Sequence, residues 1–303
     1  MTTHTVSKSN TVAPLPAPLV EAAIRAALTE DLGLVGDITT NATVAADATA
    51  DAVIATRHDG VVSGLQLAEA AFRALDPNVV FTVKNGDSAR VSAGSVIATI
   101  SGNARAILTA ERVALNYMGR MSGIATLTRR YVDAISGTTA RIADTRKTTP
   151  GLRAFEKYAV RCGGGQNHRT GLFDAVLIKD NHIVAAGGLK RAVEGARASA
   201  GHMVKIEVEV DTLAQLDELL AYKIDVVLLD NMSPEQLREA VARVSGRCLT
   251  EASGGVNLDT VRAIAETGVD LISVGALTHS ASVLDLGLDF KASKPTVKRA
   301  SSA

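Results

Sequence analysis

The sequence of 303 residues predicts an α/β protein in which an N-terminal α+β domain precedes an incomplete α/β barrel of fewer than eight strands. Short β-branched runs alternate with helix-length segments in the second half of the chain, a pattern typical of a parallel sheet. Each run ends in charged, polar or glycine residues, and a barrel carries its active site at such strand ends. Residues 141–276, which hold these runs, are far fewer than the roughly 250 of a complete eightfold barrel.

The first half of the chain predicts the α+β domain. Apolar residues at helical spacing indicate an amphipathic helix over 17–28. Residues 50–101 are rich in strand signals, with an Asp-Gly turn and β-branched residues between glycines, and the segment LQLAEAAFRALD inside them indicates a helix. A long helix is predicted over about 104–135. These elements favour a small antiparallel sheet packed with helices.

Six runs predict the strands of the barrel. Helical stretches such as LAQLDELLAYK and SPEQLREAVARV separate most of them. A doubly wound open sheet has the same alternation, but it concentrates function at one crevice, whereas here every strand end is polar. The predicted strands are RIADT (141–145), AVLIK (175–179), VKIEVEV (204–210), DVVLLD (225–230), CLTEAS (248–253) and DLISVG (270–275).

Composition limits the class of protein. A hydrophobic fraction of 47% and a charged fraction of 21% are those of an ordinary globular protein, and a formal net charge of zero argues against nucleic-acid binding. No apolar stretch is long enough for a membrane helix. The two cysteines, Cys162 and Cys248, are far apart, which favours a cytoplasmic location. Residues 1–16 and the basic tail 291–303 are expected to be disordered.

Cations are gathered in residues 141–179, where Lys and Arg outnumber acids eight to three. Guanidinium groups bind carboxylates and phosphates through two parallel hydrogen bonds, and ammonium groups add point charge. This surplus suits a polyanionic small molecule. Four of the cations lie at or beside predicted strand ends: Arg146, Lys147, Arg169 and Lys179.

Sequence alone leaves two roles open for the remaining cations of this segment. Arg153, Lys157 and Arg161 are four residues apart on a predicted helix, so this stripe either shapes the local field or faces solvent. The glycines of CGGGQNH lack the lysine of a nucleotide-binding loop. We interpret them as a flexible turn that brings His168 and Arg169 to the site.

Carboxylates and small residues complete the candidate site. Glu207, Glu209 and Asp211 alternate along one strand, so they share a face, although Glu207 or Asp211 could instead reach solvent at the strand end. Asp230 ends the next strand, where it could bind a metal or cap a helix. Together these acids suit Mg²⁺ or sugar hydroxyls. The loops EASGGV and SVGALTHS, after the last two strands, suit a phosphate group.

With these motifs in the family's order over roughly residues 25–290, the chain resembles quinolinate phosphoribosyltransferase, the decarboxylating pyrophosphorylase of pyridine nucleotide synthesis. The resemblance implies an N-terminal sandwich domain over 17–120, joined by 277–290, and a barrel domain over 121–276. It also implies a homodimer with sites at the subunit interface. The segments that carry it are LTAERVALNYMGRMSGIAT, DTRKTTPGLRAFEKYAVRCGGGQNHRTGL, LIKDNH, IEVEVD, LLDN, EASGGV and SVGALTHS.

The resemblance further implies the substrates, quinolinate and phosphoribosyl pyrophosphate, and the products nicotinate mononucleotide, CO₂ and pyrophosphate. Arg112 would be lent across the dimer interface. The quinolinate carboxylates would bind Thr145, Arg146, His168, Arg169 and Lys179. The pyrophosphate would face Lys147, Lys179 and His279, and Mg²⁺ and the ribose hydroxyls would bind Glu209 and Asp230. The 5-phosphate would bind the backbone of Ser253, Gly254, Gly255, Val274, Gly275 and Ala276.

Two other functions stay open at this point. A nicotinate-type phosphoribosyltransferase would need no pocket for a second carboxylate, and the dense set of cations favours the diacid. A non-catalytic barrel that binds a phosphate ligand would not need carboxylates beside those cations. Turnover assays with quinolinate and with nicotinate separate all three. Assembly beyond a dimer is not predicted by the sequence.

Overall fold

The computed structural model describes residues 12–290, and the segments expected to be disordered lie outside this range except for 12–16. In that part Leu15 is buried, its N–H donates to Gln66 Oε1 (3.1 Å), and its carbonyl accepts from Gln66 Nε2 (3.0 Å). The ordered chain therefore includes Leu15, before the expected start at residue 17. The described chain divides into two compact units, 12–123 with 283–290, and 124–282.

The first unit contains a four-stranded antiparallel sheet in the order β12-β1-β5-β3, together with the two-stranded sheet β2-β4. This confirms the small antiparallel sheet that the sequence predicts. Its strands are β1 (Thr49–Thr56), β2 (Gly60–Val61), β3 (Val80–Val83), β4 (Arg90–Val91), β5 (Val96–Asn103) and, from the end of the chain, β12 (Leu286–Phe290). Its helices are α1 (Ala17–Leu32), α2 (Ile38–Thr43), α3 (Leu65–Leu75) and the first part of α4 (Ala104–Ala134).

Local sequence explains these helices. Val20, Ile24 and Leu28 are buried at a spacing of four, so one face of α1 packs inward. Asp37 caps α2, where its carboxylate accepts from the Thr40 N–H at 2.9 Å. The predicted helices at α1, α3 and α4 are confirmed, and α1 continues four residues beyond its predicted end.

The second unit contains a six-stranded sheet in the order β6-β11-β10-β9-β8-β7, and every adjacent pair is parallel. All six predicted strands are present. They are β6 (Arg141–Ala143), β7 (Val176–Ile178), β8 (Ile206–Val210), β9 (Val226–Asp230), β10 (Leu249–Ser253) and β11 (Leu271–Ser273). The helices are α5 (Arg153–Cys162), α6 (Asp180–Ala186), α7 (Leu189–Ser199), α8 (Leu213–Leu219), α9 (Pro234–Val244), α10 (Val261–Ala265) and α11 (Ala276–His279).

The barrel is incomplete because its outermost strands, β6 and β7, do not pair with each other within the described sheet. The chain after α5 takes the place of a strand beside β6. Gln166 donates its N–H to the Ile142 carbonyl (2.8 Å), and its own carbonyl accepts from the Asp144 N–H (3.1 Å). This pairing places His168, two residues later, at the carboxyl end of the sheet.

The glycines after α5 form the predicted turn that brings His168 and Arg169 to the cavity, and two of them are closely packed. A Cβ at Gly163 would lie 2.5 Å from the Ala125 carbonyl oxygen and from Thr128 Cβ. A Cβ at Gly165 would lie 2.8 Å from Thr128 Cγ2. Glycine is needed here because the turn lies against the backbone of α4.

Helices cover the outside of the parallel sheet, and the core lies between the two layers. Val208, Val227 and Leu229 of the strands are fully buried, as are Leu216 of α8 and Leu237 of α9. Asp230 is opposite Ser253 across β9 and β10, so the carboxyl ends of the strands align at one edge. Within residues 12–290, no helix has the length and apolar character needed to cross a membrane.

Candidate active site

A cavity of about 800 Å³ lies in the second unit at the carboxyl ends of the strands. It brings together residues from all six strand ends, which is the distribution expected of a barrel. Fifteen of the sixteen predicted site residues line it, namely Thr145, Arg146, Lys147, His168, Arg169, Lys179, Glu209, Asp230, Ser253, Gly254, Gly255, Val274, Gly275, Ala276 and His279. The remaining one, Arg112, belongs to the first unit, where its side chain on α4 is 66% exposed.

Two arginines provide a site for an anion. The Nη1 group of Arg169 donates to the Ala175 carbonyl (3.1 Å), while its Nε group is buried with no hydrogen-bond partner among the described residues. Burial and the neighbouring charge of Arg146 lower the pKa of Arg169 from its ordinary value. Two guanidinium groups that repel each other at one cavity are suited to an anionic group such as a carboxylate.

Lys157 is buried, so the solvent-facing alternative for the stripe is excluded for this residue. Its ammonium group pairs with the Asp144 carboxylate and donates to the His168 carbonyl at 3.0 Å. Asp144 also accepts from the His168 N–H (2.9 Å) and from Asn167 Nδ2 (2.6 Å). The ion pair therefore fixes both the N–H and the carbonyl of His168.

The other two members of the predicted stripe also make contacts. Arg153 donates from Nε to Thr148 Oγ1 (3.0 Å) and from Nη1 to the Thr170 carbonyl (3.2 Å). Arg161 lies over the Tyr158 ring, with 5.5 Å between the guanidinium carbon and the ring centroid. None of the three lines the cavity.

His168 lies between two buried glutamates. Its Nε2 is 2.8 Å from Glu207 Oε2 and 3.6 Å from Glu251 Oε1. Glu207 is 5% exposed and Glu251 1%, so Glu207 does not reach solvent at a strand end. In the described chain, these residues are the one group of three or more His, Cys, Asp or Glu side chains whose possible metal-ligand atoms all lie within 4.8 Å of one another.

Protonation in this cluster departs from ordinary behaviour. Burial of the imidazole lowers the pKa of His168, but the hydrogen bond to Glu207 and the charge of Glu251 outweigh this effect, so the pKa is raised. Burial and the charge of Glu207 raise the pKa of Glu251 to about 7, although His168 opposes the rise. The cluster therefore binds a proton that isolated carboxylates would release.

The predicted metal ligands occupy neighbouring strands at the cavity. Glu209 is two residues beyond Glu207 on β8 and forms an ion pair with Lys179. Asp230 ends β9 and accepts from Asn231 Nδ2 at 2.6 Å. Asp211 follows the end of β8 and is exposed. Two carboxylates that meet at one cavity are oxygen donors of the kind that Mg²⁺ binds.

Small residues are required at the far side of the cavity. Gly254 has φ +89°, and a Cβ there would lie 2.1 Å from Asn231 Oδ1. A Cβ at Gly275 would lie 3.1 Å from Lys147 Cδ and 3.2 Å from His279 Nε2. Glycine is therefore needed at position 254, and position 275 leaves little room for a side chain, in loops that line the cavity after the last two strands, where barrels commonly bind phosphate.

Comparison with known proteins identifies the family. The family model described as "Quinolinate phosphoribosyl transferase, N-terminal domain" matches residues 37–122, and the model of the corresponding C-terminal domain matches residues 124–289. The chain belongs to the quinolinate phosphoribosyltransferase family. The two matched segments correspond closely to the two compact units of the fold.

Relatives in the family extend over nearly the whole chain. The nicotinate-nucleotide pyrophosphorylase (carboxylating) of Mycobacterium leprae is 48% identical, over 88% of this chain and 95% of that protein. The probable enzyme of the same name from Bacillus subtilis is 44% identical, over 89% and 92%. The structure of nicotinate-nucleotide pyrophosphorylase from Francisella tularensis has a TM-score of 0.88 and 42% identity, covering 93% of this chain and 100% of that one.

Within this quinolinate phosphoribosyltransferase fold, sequence reasoning missed Glu251 and Asn231 as functional candidates. Glu251 is a charged residue inside a strand whose other residues are small or apolar, and this unusual position could have indicated a functional role. Asn231 has φ +54°, a conformation that asparagine tolerates, and its N–H donates to the Ser253 carbonyl at 2.9 Å. Both residues line the cavity.

Proposed function

We propose that this chain transfers a phosphoribosyl group from phosphoribosyl pyrophosphate to quinolinate and releases CO₂, in the synthesis of NAD. The observation that carries the proposal is the pair Arg146 and Arg169 at the cavity, two guanidinium groups close enough that the charge of Arg146 lowers the pKa of Arg169. A carboxylate of the diacid supplies the negative charge that relieves this repulsion. The names and similarity of the relatives support the same reaction.

Binding of the two substrates follows from the charges around the cavity. Arg146 and Arg169 bind one quinolinate carboxylate, and His168, Thr145 and Lys179 assist with the second. The Lys147 and His279 side chains lie together over Gly275, so they bind the pyrophosphate. The glycine-rich loops 253–255 and 274–276 bind the 5-phosphate through backbone N–H groups.

Glu209 and Asp230 fit Mg²⁺ because both are carboxylates at adjacent strand ends, and Mg²⁺ is commonly bound by one or two carboxylates together with substrate phosphates. Bound there, the ion would neutralise charge on the pyrophosphate and orient the ribose hydroxyls. In the structure Glu209 is paired with Lys179. A metal ion held by Glu209 would compete with Lys179 for this carboxylate, and Lys179 would then be available to an anionic group of the substrate.

The reaction then proceeds by positioning and charge stabilisation. The bond between ribose C1 and the pyrophosphate oxygen breaks, and the pyridine nitrogen forms a bond to C1. The ring nitrogen becomes positively charged. The adjacent carboxylate then leaves as CO₂, and the electron pair of the broken carbon–carbon bond stays on the ring carbon beside that nitrogen. A proton from water bonds to this electron pair and takes the place of the carboxylate. Lys147 and His279 stabilise the departing pyrophosphate.

The assembly and location of the enzyme are also proposals. A homodimer in which Arg112 of one subunit completes the site of the other is supported by the exposure of the Arg112 side chain and by the family resemblance. A cytoplasmic location is supported by the sparse cysteines.

Substitution of Arg146 tests the proposed function. Pyrophosphate formation and CO₂ release are both measured with phosphoribosyl pyrophosphate, Mg²⁺ and either quinolinate or nicotinate, because transfer to nicotinate would form pyrophosphate without CO₂. Arg146→Ala is expected to raise the quinolinate KM at least about tenfold, because a charged hydrogen bond is lost. Arg238→Ala, on an exposed face of α9, is the matched control and keeps normal kinetics. Wild-type protein that turns over nicotinate but not quinolinate contradicts the proposal.

A further inference from the structure

The cluster of His168, Glu207 and Glu251 raises a question of charge. Two carboxylates that are almost completely buried are costly unless a positive group compensates them. Within residues 12–290, no Lys or Arg pairs with either glutamate, and His168 is the ion-pair partner of both. One oxygen of each carboxylate, Oε1, has no hydrogen-bond partner there. Arg169 also acts on Glu207 through its charge, without an ion pair to it. Among the described residues, the imidazole is therefore the cationic group that contacts both glutamates.

The hydrogen bond to Glu207 fixes the orientation of the ring. An ionised carboxylate accepts and cannot donate, so the Nε2 group of His168 must carry the proton in this 2.8 Å contact. Nδ1 makes no hydrogen bond to the described chain, and His168 lines the cavity. A neutral ring held in this way would present an Nδ1 lone pair, which repels a substrate carboxylate. An imidazolium would present an Nδ1–H donor.

We propose that Glu207 and Glu251 are positioning residues that hold His168 as an imidazolium whose Nδ1–H binds a carboxylate of the diacid substrate. Glu207 orients the ring through Nε2, and Glu251, 3.6 Å from the same nitrogen, supplies the second negative charge. The identity of the bound carboxylate rests on the proposed function. The charge and orientation of the ring are independent of the proposed function.

Other charged groups near the ring also affect the protonation of His168. Lys157 of α5 opposes protonation of His168, while Asp144, at the end of β6, neutralises Lys157 and holds the His168 N–H. Burial opposes protonation as well, yet the pKa of His168 is raised. Glu251 has a pKa of about 7, so it becomes charged as the pH rises through neutrality. Its negative charge then retains the proton of His168 at the pH where an ordinary imidazole would lose it.

A spectroscopic titration tests the state of the ring without turnover. The side-chain nitrogens of His168 are followed by NMR in ¹⁵N-labelled full-length protein without substrate, assigned through the backbone. Both nitrogens of wild-type protein are expected to remain protonated at pH 7.5. In Glu251→Gln, which keeps the shape, Nδ1 is expected to lose its proton below that pH. A neutral ring in wild-type protein at pH 7, or the same titration in both proteins, overturns the inference.

A matched control is available in the same unit. Glu156 is also buried, and its carboxylate accepts from the Thr149 N–H (3.1 Å) and hydroxyl (2.8 Å) instead of from His168. Glu156→Gln is expected to leave the titration of His168 unchanged. If Glu156→Gln lowers the pKa of His168 as much as Glu251→Gln does, the effect is a general consequence of removing buried charge and the inference is wrong.

Kinetics provide the second measurement. In Glu251→Gln the quinolinate KM is expected to rise about tenfold between pH 6 and pH 8, because the imidazolium fraction falls about tenfold per pH unit above the pKa. The wild-type KM changes by less, and kcat at saturating quinolinate is less affected in both. A rise in KM that is equal at pH 6 and pH 8 indicates a structural role only and overturns the inference. Absence of quinolinate turnover contradicts the proposed function, while the NMR titration still decides the charge of His168.

Discussion

Replacement of Lys157 by methionine isolates the role of the buried ion pair beneath the site. Asp144 is 0% and Lys157 3% exposed, so Lys157→Met leaves a carboxylate buried without its cation. Removing one partner of a buried pair costs about 3–5 kcal/mol. Asp144 keeps the hydrogen bonds from Asn167 Nδ2 (2.6 Å) and the His168 N–H (2.9 Å), which places the expected loss near the lower limit, at about 3 kcal/mol.

The measurement is chemical and thermal unfolding of the full chain. For a unit of this size, about 1 kcal/mol shifts the Tm by roughly 2–4 °C, so the expected decrease is roughly 6–12 °C. Lys205→Met is the control, because the Lys205 side chain is 73% exposed in its ion pair with Asp225 and such pairs contribute about 0–1 kcal/mol.

A second variant distinguishes lost charge pairing from lost packing. Adding Asp144→Asn to Lys157→Met removes the unpaired charge and is expected to recover part of the stability. The defect of Lys157→Met alone is also expected to shrink as the pH falls, because Asp144 without its cation takes up a proton more readily. A loss below about 1 kcal/mol, or no recovery in the double variant, would refute the reasoning.

Two further predictions concern the far side of the cavity and the protonation of its floor. Gly254→Ala is expected to reduce turnover at least about tenfold, because its Cβ would lie 2.1 Å from Asn231 Oδ1 at a φ of +89°. The control is Gly201→Ala, whose Cβ would have no atom within 4 Å, and it is expected to keep wild-type rates. Full activity of Gly254→Ala in a steady-state assay would contradict a tightly constrained loop. The pKa of Glu251 is raised from an ordinary 4.5 to about 7, so between these pH values the native state holds a proton that the unfolded chain has released. The free energy of unfolding contributed by this proton is therefore lost as the pH rises from about 4.5 to 7. Unfolding experiments across this range are expected to show a shallower decline for Glu251→Gln than for wild-type protein, and parallel curves would disprove it.

Much of the site could be predicted because it depends on local patterns. Strand ends such as 144–147 and 251–255 combine a β-branched run with polar or glycine residues, and parallel strands bring such ends to one edge of a sheet. The alternation of Glu207 and Glu209 likewise follows from the period of a strand. These features need no knowledge of which elements pack together.

The sequence by itself determined the alternation of strands and helices, the six parallel strands and the residues at their carboxyl ends, since each follows from neighbours along the chain. Only the tertiary structure decided that Lys157 is buried against Asp144, that Gly163 lies against α4, and that Glu251 meets His168. These contacts join residues from separate elements. Burial and charge depend on what closes over a side chain, and that is determined by the packing of distant segments.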